Sequence, residues 1–153
     1  MTKPEAKRDI RYQGAIVQDD HLLLIRHREH RTGKNYWLFP GGGREEGESA
    51  EECVCREMQE ETNLVVKVER LLMEQPTTFG GPYRLRRTYL CPVVAGTASP
   101  GYEPEASAAA HYGIVEVGWF DLRNAQHWNN QVRSDRITYP QLLQVQSLLG
   151  YVP

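Results

Sequence analysis

The sequence predicts an α/β domain, because short strand-like runs and two helical segments share one chain. YQGAIV and HLLLIR near the start and GIVEVGWFDL near the end have strand character. Residues 50–62 and the tail from Tyr139 have helical spacing. At 153 residues, 40% hydrophobic and 25% charged, the chain resembles one globular domain with its own core. We therefore expect a single domain over 1–153, with residues 1–8 frayed.

Turn signals between the strand-like runs predict two hairpins. Two aspartates at 19–20 separate YQGAIV from HLLLIR, and PTTFGGP separates LVVKVERLLMEQ from YRLRRTYLCPVVAG. The first helix has Ser49 and Glu52 in capping-box positions, and Asn63 follows it as a left-handed cap. The tail helix is expected to carry Pro140 at its first position.

The net charge and the number of cysteines limit the classes of function that we expect. The formal net charge of −2 provides no global field for nucleic acid or an acidic membrane, so neither is expected as a partner. The three cysteines are odd in number and lack a Cys-x-x-Cys pair, which argues against a disulfide framework or a zinc site. Without a long apolar run or a signal-like start, the chain is expected to be cytoplasmic. Homodimerisation stays open.

Three glutamates of the first helix, Glu57, Glu60 and Glu61, fall within an arc of roughly 100°. That arc overlaps the apolar side of the helix rather than lying opposite to it. Carboxylates so close together repel one another and lose hydration, and Arg56 alone cannot neutralise three of them. A hard divalent cation such as Mg²⁺ or Mn²⁺ could do so. Spacing alone leaves a solvated acidic face equally open, but the preceding glycines 41–43 favour the metal site, because they let backbone approach an ion closely.

The spacing of these residues resembles the Nudix box. Gly42 is followed after five residues by Glu48, and after seven more by REMQEETNL, residues 56–64. One position departs, since Asn63 stands where the family has glycine, and asparagine is the next residue suited to a left-handed cap. WLFPGG before the box and GWFDL after it are also similar to the family's usual context.

The resemblance implies an α/β/α sandwich with a mixed β-sheet and a loop-helix-loop catalytic motif. It assigns metal binding to three carboxylates and one carbonyl: Glu57, Glu60, Glu61 and Gly41. Arg56 and Glu48 match a pair that orients the catalytic glutamates. The implied cofactor is Mg²⁺ or Mn²⁺.

The implied function is hydrolysis of the pyrophosphate bond in a nucleoside diphosphate linked to another group. Nucleoside triphosphates, nucleotide sugars, ADP-ribose and dinucleoside polyphosphates all remain candidate substrates, each a small nucleotide. The alternative is a nucleotide-binding sensor that has the same fold without turnover. The complete set of box glutamates favours the enzyme.

A later loop of the family also supplies a general base, for which Glu105 and Glu103 are the candidates here and Glu116 the third. Substrate contacts are expected from Arg26, which belongs to a basic cluster after the second strand, and from Tyr83 and Arg84.

Overall fold

A mixed β-sheet lies between helices on both of its faces in the computed structural model, which describes residues 9–77, 81–103 and 106–152. The strands are β1 (Ile10–Gln18), β2 (His21–Glu29), β3 (Asn35–Leu38), β4 (Gly41–Gly42), β5 (Val65–Val66), β6 (Arg70–Pro76), β7 (Leu85–Ala95) and β8 (Tyr112–Asp121). The helices are α1 (Ala50–Thr62), α2 (Ala106–Ala109), α3 (Asn130–Arg133) and α4 (Thr138–Leu148), with a 3₁₀ turn at Ala125–His127. The fraying expected for residues 1–8 lies outside the described residues.

Strand β1 is central to the sheet. It runs parallel to β7 and antiparallel to β2, and the strand order is β3-β2-β1-β7-β5. The short strand β4 pairs with β1, β6 pairs with β7, and β8 pairs with β2, each in antiparallel register. The sheet is therefore mixed, as predicted. Both predicted hairpins form, and Asp19 and Asp20 make the first turn with φ of 51° and 63°.

Two hydrophobic cores lie on opposite faces of the sheet. Alternation along β1 sends Tyr12 and Ile16 to the face covered by α1, where Met58 is fully buried, and Ala15 to the face covered by α4. Leu142 of α4 is fully buried in the second core. This arrangement confirms the predicted α/β/α sandwich.

The limits of α1 follow from local hydrogen bonds, as predicted. Glu52 N–H donates to Ser49 Oγ at 3.0 Å, and Ser49 N–H donates to Glu52 Oε1 at 2.8 Å. Asn63 ends the helix in the left-handed region at φ 62°. None of the helices in the described ranges is long and apolar enough to cross a membrane.

The start of α4 differs from the prediction. Helix α4 begins at Thr138, so Pro140 is its third residue and not its first. The carboxylate of Asp135 explains the difference, because its Oδ1 accepts from the N–H groups of Ile137 and Thr138, both at 2.8 Å. Asp135 therefore satisfies helix donors that come before the proline.

A loop after β7 caps the other end of α1. Three of its backbone N–H groups donate to the last helix carbonyls: Ser99 to Thr62 at 3.0 Å, Gly101 to Glu61 at 2.9 Å and Tyr102 to Glu60 at 2.9 Å. The Asn63 side-chain amide donates to Ser99 Oγ at 2.8 Å and to the carbonyls of Ser99 and Pro100. Asn63 thus does what the family glycine cannot, because its side chain ties this loop to the helix end.

Replacing Asn63 separates the two roles of this residue. Asn63→Ala loses the hydrogen bonds of the side-chain amide, and alanine is unfavourable in the left-handed conformation at φ 62°. We therefore expect a loss of about 1–2 kcal/mol in the free energy of unfolding. Asn63→Gly keeps the backbone conformation and loses only the amide bonds, so it should lie between Asn63→Ala and the native protein. Urea unfolding measures both, and an alanine variant as stable as the native protein would contradict this account.

Candidate active site

Helix α1 places two ionisable groups in the protein interior. The residues Glu57 and Glu61 are 0% and 1% exposed, whereas Glu60 is only partly buried. Gly41 N–H donates to Glu61 Oε1 at 2.8 Å. A Cβ at Gly42 would lie 2.4 Å from Glu57 Oε2, so the Glu57 carboxylate occupies space that only glycine leaves open.

Arg56 joins the glycine loop to the acidic helix. Its Nε and Nη2 donate to the Glu48 carboxylate at 2.6 and 3.0 Å, and Nη2 also donates to the carbonyl of Gly43 at 3.2 Å. Its Nη1 donates to Glu60 at 2.8 Å and to Glu57 at 3.3 Å. The hydrogen bonds to Glu48 raise the pKa of Arg56 above its ordinary value. Partial burial raises the pKa of the Glu48 carboxyl, but the hydrogen bonds and charge of Arg56 and the backbone N–H of Glu45 together lower it below its ordinary value.

The charge on the two buried carboxylates is only partly compensated. Burial raises the pKa of Glu61 well above its usual range, and the charge of Glu57 raises it further. Arg11 acts in the opposite direction. The acidic pair therefore offers concentrated oxygen donors, which fit a hard divalent cation.

The described residues do not, however, form a finished metal site. No three histidine, cysteine or acidic side chains among them converge as a ligand set. Glu60 accepts from Arg56 and Glu61 accepts from Gly41 N–H, so these two carboxylates point to protein donors. The assignment of Glu57, Glu60, Glu61 and the Gly41 carbonyl as metal ligands stays a prediction.

A cavity of about 590 Å³ opens beside the glycines, and we call it the aromatic cavity. Its lining includes the two glycines of β4 and four aromatic residues: Tyr36, Trp37, Tyr83 and Tyr112. His27 and Glu103 also line it. Aromatic faces next to acidic oxygen donors suit a nucleotide, whose base can stack while its phosphates approach the glycines.

A second cavity, of about 600 Å³, adjoins the first, and we call it the arginine cavity. Its lining includes three arginines and three glutamines: Arg11, Arg86, Arg136, Gln13, Gln75 and Gln141. Both cavities share Arg11 and Tyr83 as lining residues. Arg11 is held in place because its Nη2 donates to the carbonyl of Phe39 at 2.7 Å.

His27 faces Glu103 in the aromatic cavity. The His27 Nε2 lies 3.8 Å from Glu103 Oε2, and the imidazole stacks on Tyr112 with 5.6 Å between ring centroids. Burial, followed by the charge of Arg11, lowers the pKa of His27 to about 4. The imidazole is therefore neutral at pH 7, and its contact with Glu103 is not an ion pair there.

The candidate general bases differ in their position relative to the aromatic cavity. Glu103 lines the aromatic cavity together with the glycines. Glu116 lies on β8 with a side chain that is 50% exposed, and it pairs with Arg26 at 3.3 Å. Glu105 lies outside the described residues.

The candidate substrate contacts are also divided. Tyr83 lines both cavities. Arg26 lines neither, because it pairs with Glu116 and its guanidinium lies over the Trp37 ring at 5.7 Å. Arg84 is also outside both linings, with a side chain that is 70% exposed and paired with Asp9 at 2.8 Å.

Sequence analysis did not single out Arg11, which contributes to both cavities. The available signal was the alternation of Arg11 and Gln13 at the polar start of an otherwise apolar strand, which places both side chains on one face. That face is the floor of the arginine cavity, where Gln13 Nε2 donates to Gln141 Oε1 at 2.7 Å.

A comparison with models of protein families agrees with the glycine loop, the buried glutamates and the contacts of Arg56. The model of the NUDIX domain matches residues 10–141. The chain belongs to the Nudix family. Two solved structures share the Nudix fold with it: a NUDIX hydrolase from Nitrosomonas europaea (TM-score 0.71, 23% identity, 95% of this chain and 93% of that one) and an ADP-ribose pyrophosphatase from Streptococcus suis (TM-score 0.66, 23% identity, 94% and 93%).

Two relatives show how far the sequence similarity extends. The NAD-capped RNA hydrolase NudC of Photobacterium profundum is 35% identical over 94 residues, which cover 61% of this Nudix chain and 34% of that protein. An ADP-ribose pyrophosphatase of Methanocaldococcus jannaschii is 36% identical over 111 residues, which cover 72% of this chain and 60% of that protein. The matched region thus spans about a third of the first relative and less than two thirds of the second.

Packing against Gly42 can be tested by adding one methyl group. Gly42→Ala places its Cβ against the buried Glu57 carboxylate, so we expect a loss of about 1–3 kcal/mol in the free energy of unfolding. Gly113→Ala is the matched control, because its Cβ meets only the His30 ring edge at 3.3 Å. Denaturant unfolding measures both, and equal stability of the two variants would contradict the close approach.

The neutral state of His27 predicts a pH dependence. Because the pKa is about 4 in the folded state and 6.5 in the unfolded state, the unfolded chain binds more protons between these values. Stability should therefore fall as pH falls from about 6.5 to 4, by up to about 1.4 kcal/mol per pH unit. Thermal unfolding of native protein and His27→Gln across this range measures the difference. His30→Gln, at an exposed histidine, is the control, and a native slope unchanged in His27→Gln would refute the assignment.

Proposed function

We propose that this Nudix protein is a Mg²⁺- or Mn²⁺-dependent hydrolase that cleaves the diphosphate of ADP-ribose or of a related nucleoside diphosphate linked to a second group. The observation that carries this proposal is the juxtaposition of two buried glutamates, Glu57 and Glu61, with the glycines that border the aromatic cavity. A nucleotide bound in that cavity would bring its diphosphate to the acidic oxygens.

The names of the relatives support an adenosine diphosphate substrate. One is named for NAD-capped RNA and another for ADP-ribose. NAD is chemically ADP-ribose joined to nicotinamide, so both named substrates contain an ADP-ribosyl unit. The aromatic cavity offers Tyr36, Tyr83 and Tyr112 as faces against which adenine could stack.

The metal-binding role falls to Glu57, Glu60, Glu61 and the Gly41 carbonyl. A divalent cation held there would supply the positive charge that neutralises the diphosphate oxygens and makes a bound water more acidic. Arg56 holds Glu57 and Glu60 in defined orientations, since one guanidinium bonds both carboxylates and Glu48 fixes that guanidinium on its other edge.

Glu103 is the proposed general base. It lines the same cavity as the glycines, and its Oε2 lies 3.8 Å from Nε2 of His27, which is neutral at pH 7. Its carboxylate would take a proton from water as the water oxygen bonds to phosphorus. The anhydride bond then breaks, which yields a nucleoside monophosphate and a phosphorylated second product.

A substrate panel with magnesium tests the proposal. ADP-ribose, a nucleotide sugar, a nucleoside triphosphate, a dinucleoside polyphosphate and NAD-capped RNA are incubated with the protein, and released monophosphate is measured. We expect ADP-ribose to be cleaved with a kcat/KM above that of the nucleoside triphosphate. Glu60→Gln and Glu103→Gln should each lower that kcat/KM by at least about a hundredfold.

Glu51→Gln is the matched control, because Glu51 lies on the exposed first turn of the same helix. It should hydrolyse ADP-ribose at the native rate. Binding of ADP-ribose without product would indicate the nucleotide sensor instead, and cleavage of NAD-capped RNA alone would replace the proposed substrate.

A further inference from the structure

The arginine cavity has a positive charge that has no role in the proposed reaction. Three guanidinium groups, those of Arg11, Arg86 and Arg136, line it, and none of its described lining residues is acidic. Its remaining polar lining consists mainly of glutamine and threonine side chains. A cavity of this composition is complementary to a group with about two negative charges.

Arg86 has no acidic partner among the described residues that line this cavity. Its Nε is buried and has no hydrogen-bond partner among the described residues. Burial lowers the pKa of its guanidinium, and the charge of Arg11 lowers it further. Other arginines of the same region differ, since Arg84 pairs with Asp9 and Arg87 pairs with Glu74 at 2.7 Å. A half-buried guanidinium near a second one costs stability, which an anionic ligand would restore.

We propose that the arginine cavity binds a phosphoryl group of the substrate other than the two of the scissile diphosphate. The proposal rests on the proposed function, which places that diphosphate at the glycines of the aromatic cavity. The substrate class is then an ADP-ribosyl compound with a phosphomonoester on one of its two riboses.

The arrangement of the two cavities supports this assignment. They meet at Arg11 and Tyr83, so one ligand can extend from the glycines across Arg11 to Arg86. Arg11 also acts on the acidic side, where its charge opposes the raised pKa of Glu61. A substrate spanning both cavities would thus place its diphosphate on one side of Arg11 and its extra phosphate on the other.

Three matched nucleotides test the proposal: ADP-ribose, ADP-ribose 2′-phosphate and ADP-ribose 1″-phosphate. They share the diphosphate and differ only in the position of one added phosphoryl group. We expect the native protein to prefer one of the phosphorylated compounds, in kcat/KM with magnesium and in Kd by calorimetry in EDTA. Arg86→Gln should reduce that preference by about 10- to 100-fold, the value expected for hydrogen bonds to a charged group. Arg136→Gln, at an exposed residue, should reduce it less.

Arg87→Gln is the control, because it removes one positive charge from the same strand on the face that pairs with Glu74. It should keep the native preference. Arg86→Gln should also raise the melting temperature, because it removes a half-buried charge that has no acidic partner in the described lining, whereas a merely structural arginine would lower it.

Several outcomes would overturn the proposal. They are equal affinity of native protein for all three nucleotides, a preference that survives in Arg86→Gln, and an equal loss for all three, which would mean that the cavity binds the shared diphosphate. Inorganic phosphate that binds without any preference for the phosphorylated nucleotides would indicate a free-phosphate site. Failure of the proposed function is distinguishable, because a preference in EDTA without hydrolysis refutes the enzyme and leaves the phosphoryl site standing.

Discussion

The burial of Glu57 and Glu61 is the constraint on which the rest of the site depends. Two carboxylates at 0% and 1% exposure cannot both be ionised without compensation, because removing them from water favours their neutral forms. The chain supplies part of that compensation through Gly41 N–H and through Arg56. A bound cation would provide the remaining compensation. The cost of burying two carboxylates and the proposed metal chemistry therefore have one origin.

The glycines are a consequence of the same constraint. The Glu57 carboxylate lies against the backbone of Gly42, and β4 pairs with β1 at Tyr12 and Gln13. The glycine loop therefore packs against the acidic helix with no side chain of its own, and the Glu57 carboxylate fills the space between them. The short strand β4 is needed because this pairing satisfies the backbone groups of a buried loop.

The sequence predicted those features of the fold that interactions between nearby residues determine. The limits of α1 depend on the bonds between Ser49 and Glu52 and on the left-handed Asn63, all close in sequence. Non-local contacts could not be predicted. Arg26 is drawn to Glu116 by the register of β2 against β8, and Arg84 precedes its strand and pairs with Asp9.

The separation between Arg84 and Arg86 shows the physical reason for that limit. The two residues are only two positions apart, but only Arg86 lies within β7, where its backbone pairs with Arg11 of β1. That parallel pairing joins residues 75 positions apart and sets two guanidinium groups side by side. A single sequence carries no signal for such a register, so the arginine cavity becomes visible only in the folded chain.

The distribution of charged residues explains why the net charge of −2 does not indicate an acidic and a basic region in this site. Acidic groups concentrate beneath the glycines and arginines line the cavity beyond Arg11, so a sum over 18 basic and 20 acidic residues hides both regions. An approaching nucleotide would be repelled by the first region and attracted by the second at distances within a Debye length, about 8 Å at physiological salt. Under the proposed function, the arginine cavity would attract an anionic substrate before a cation neutralised the acidic pair, and so would fix the direction of its entry.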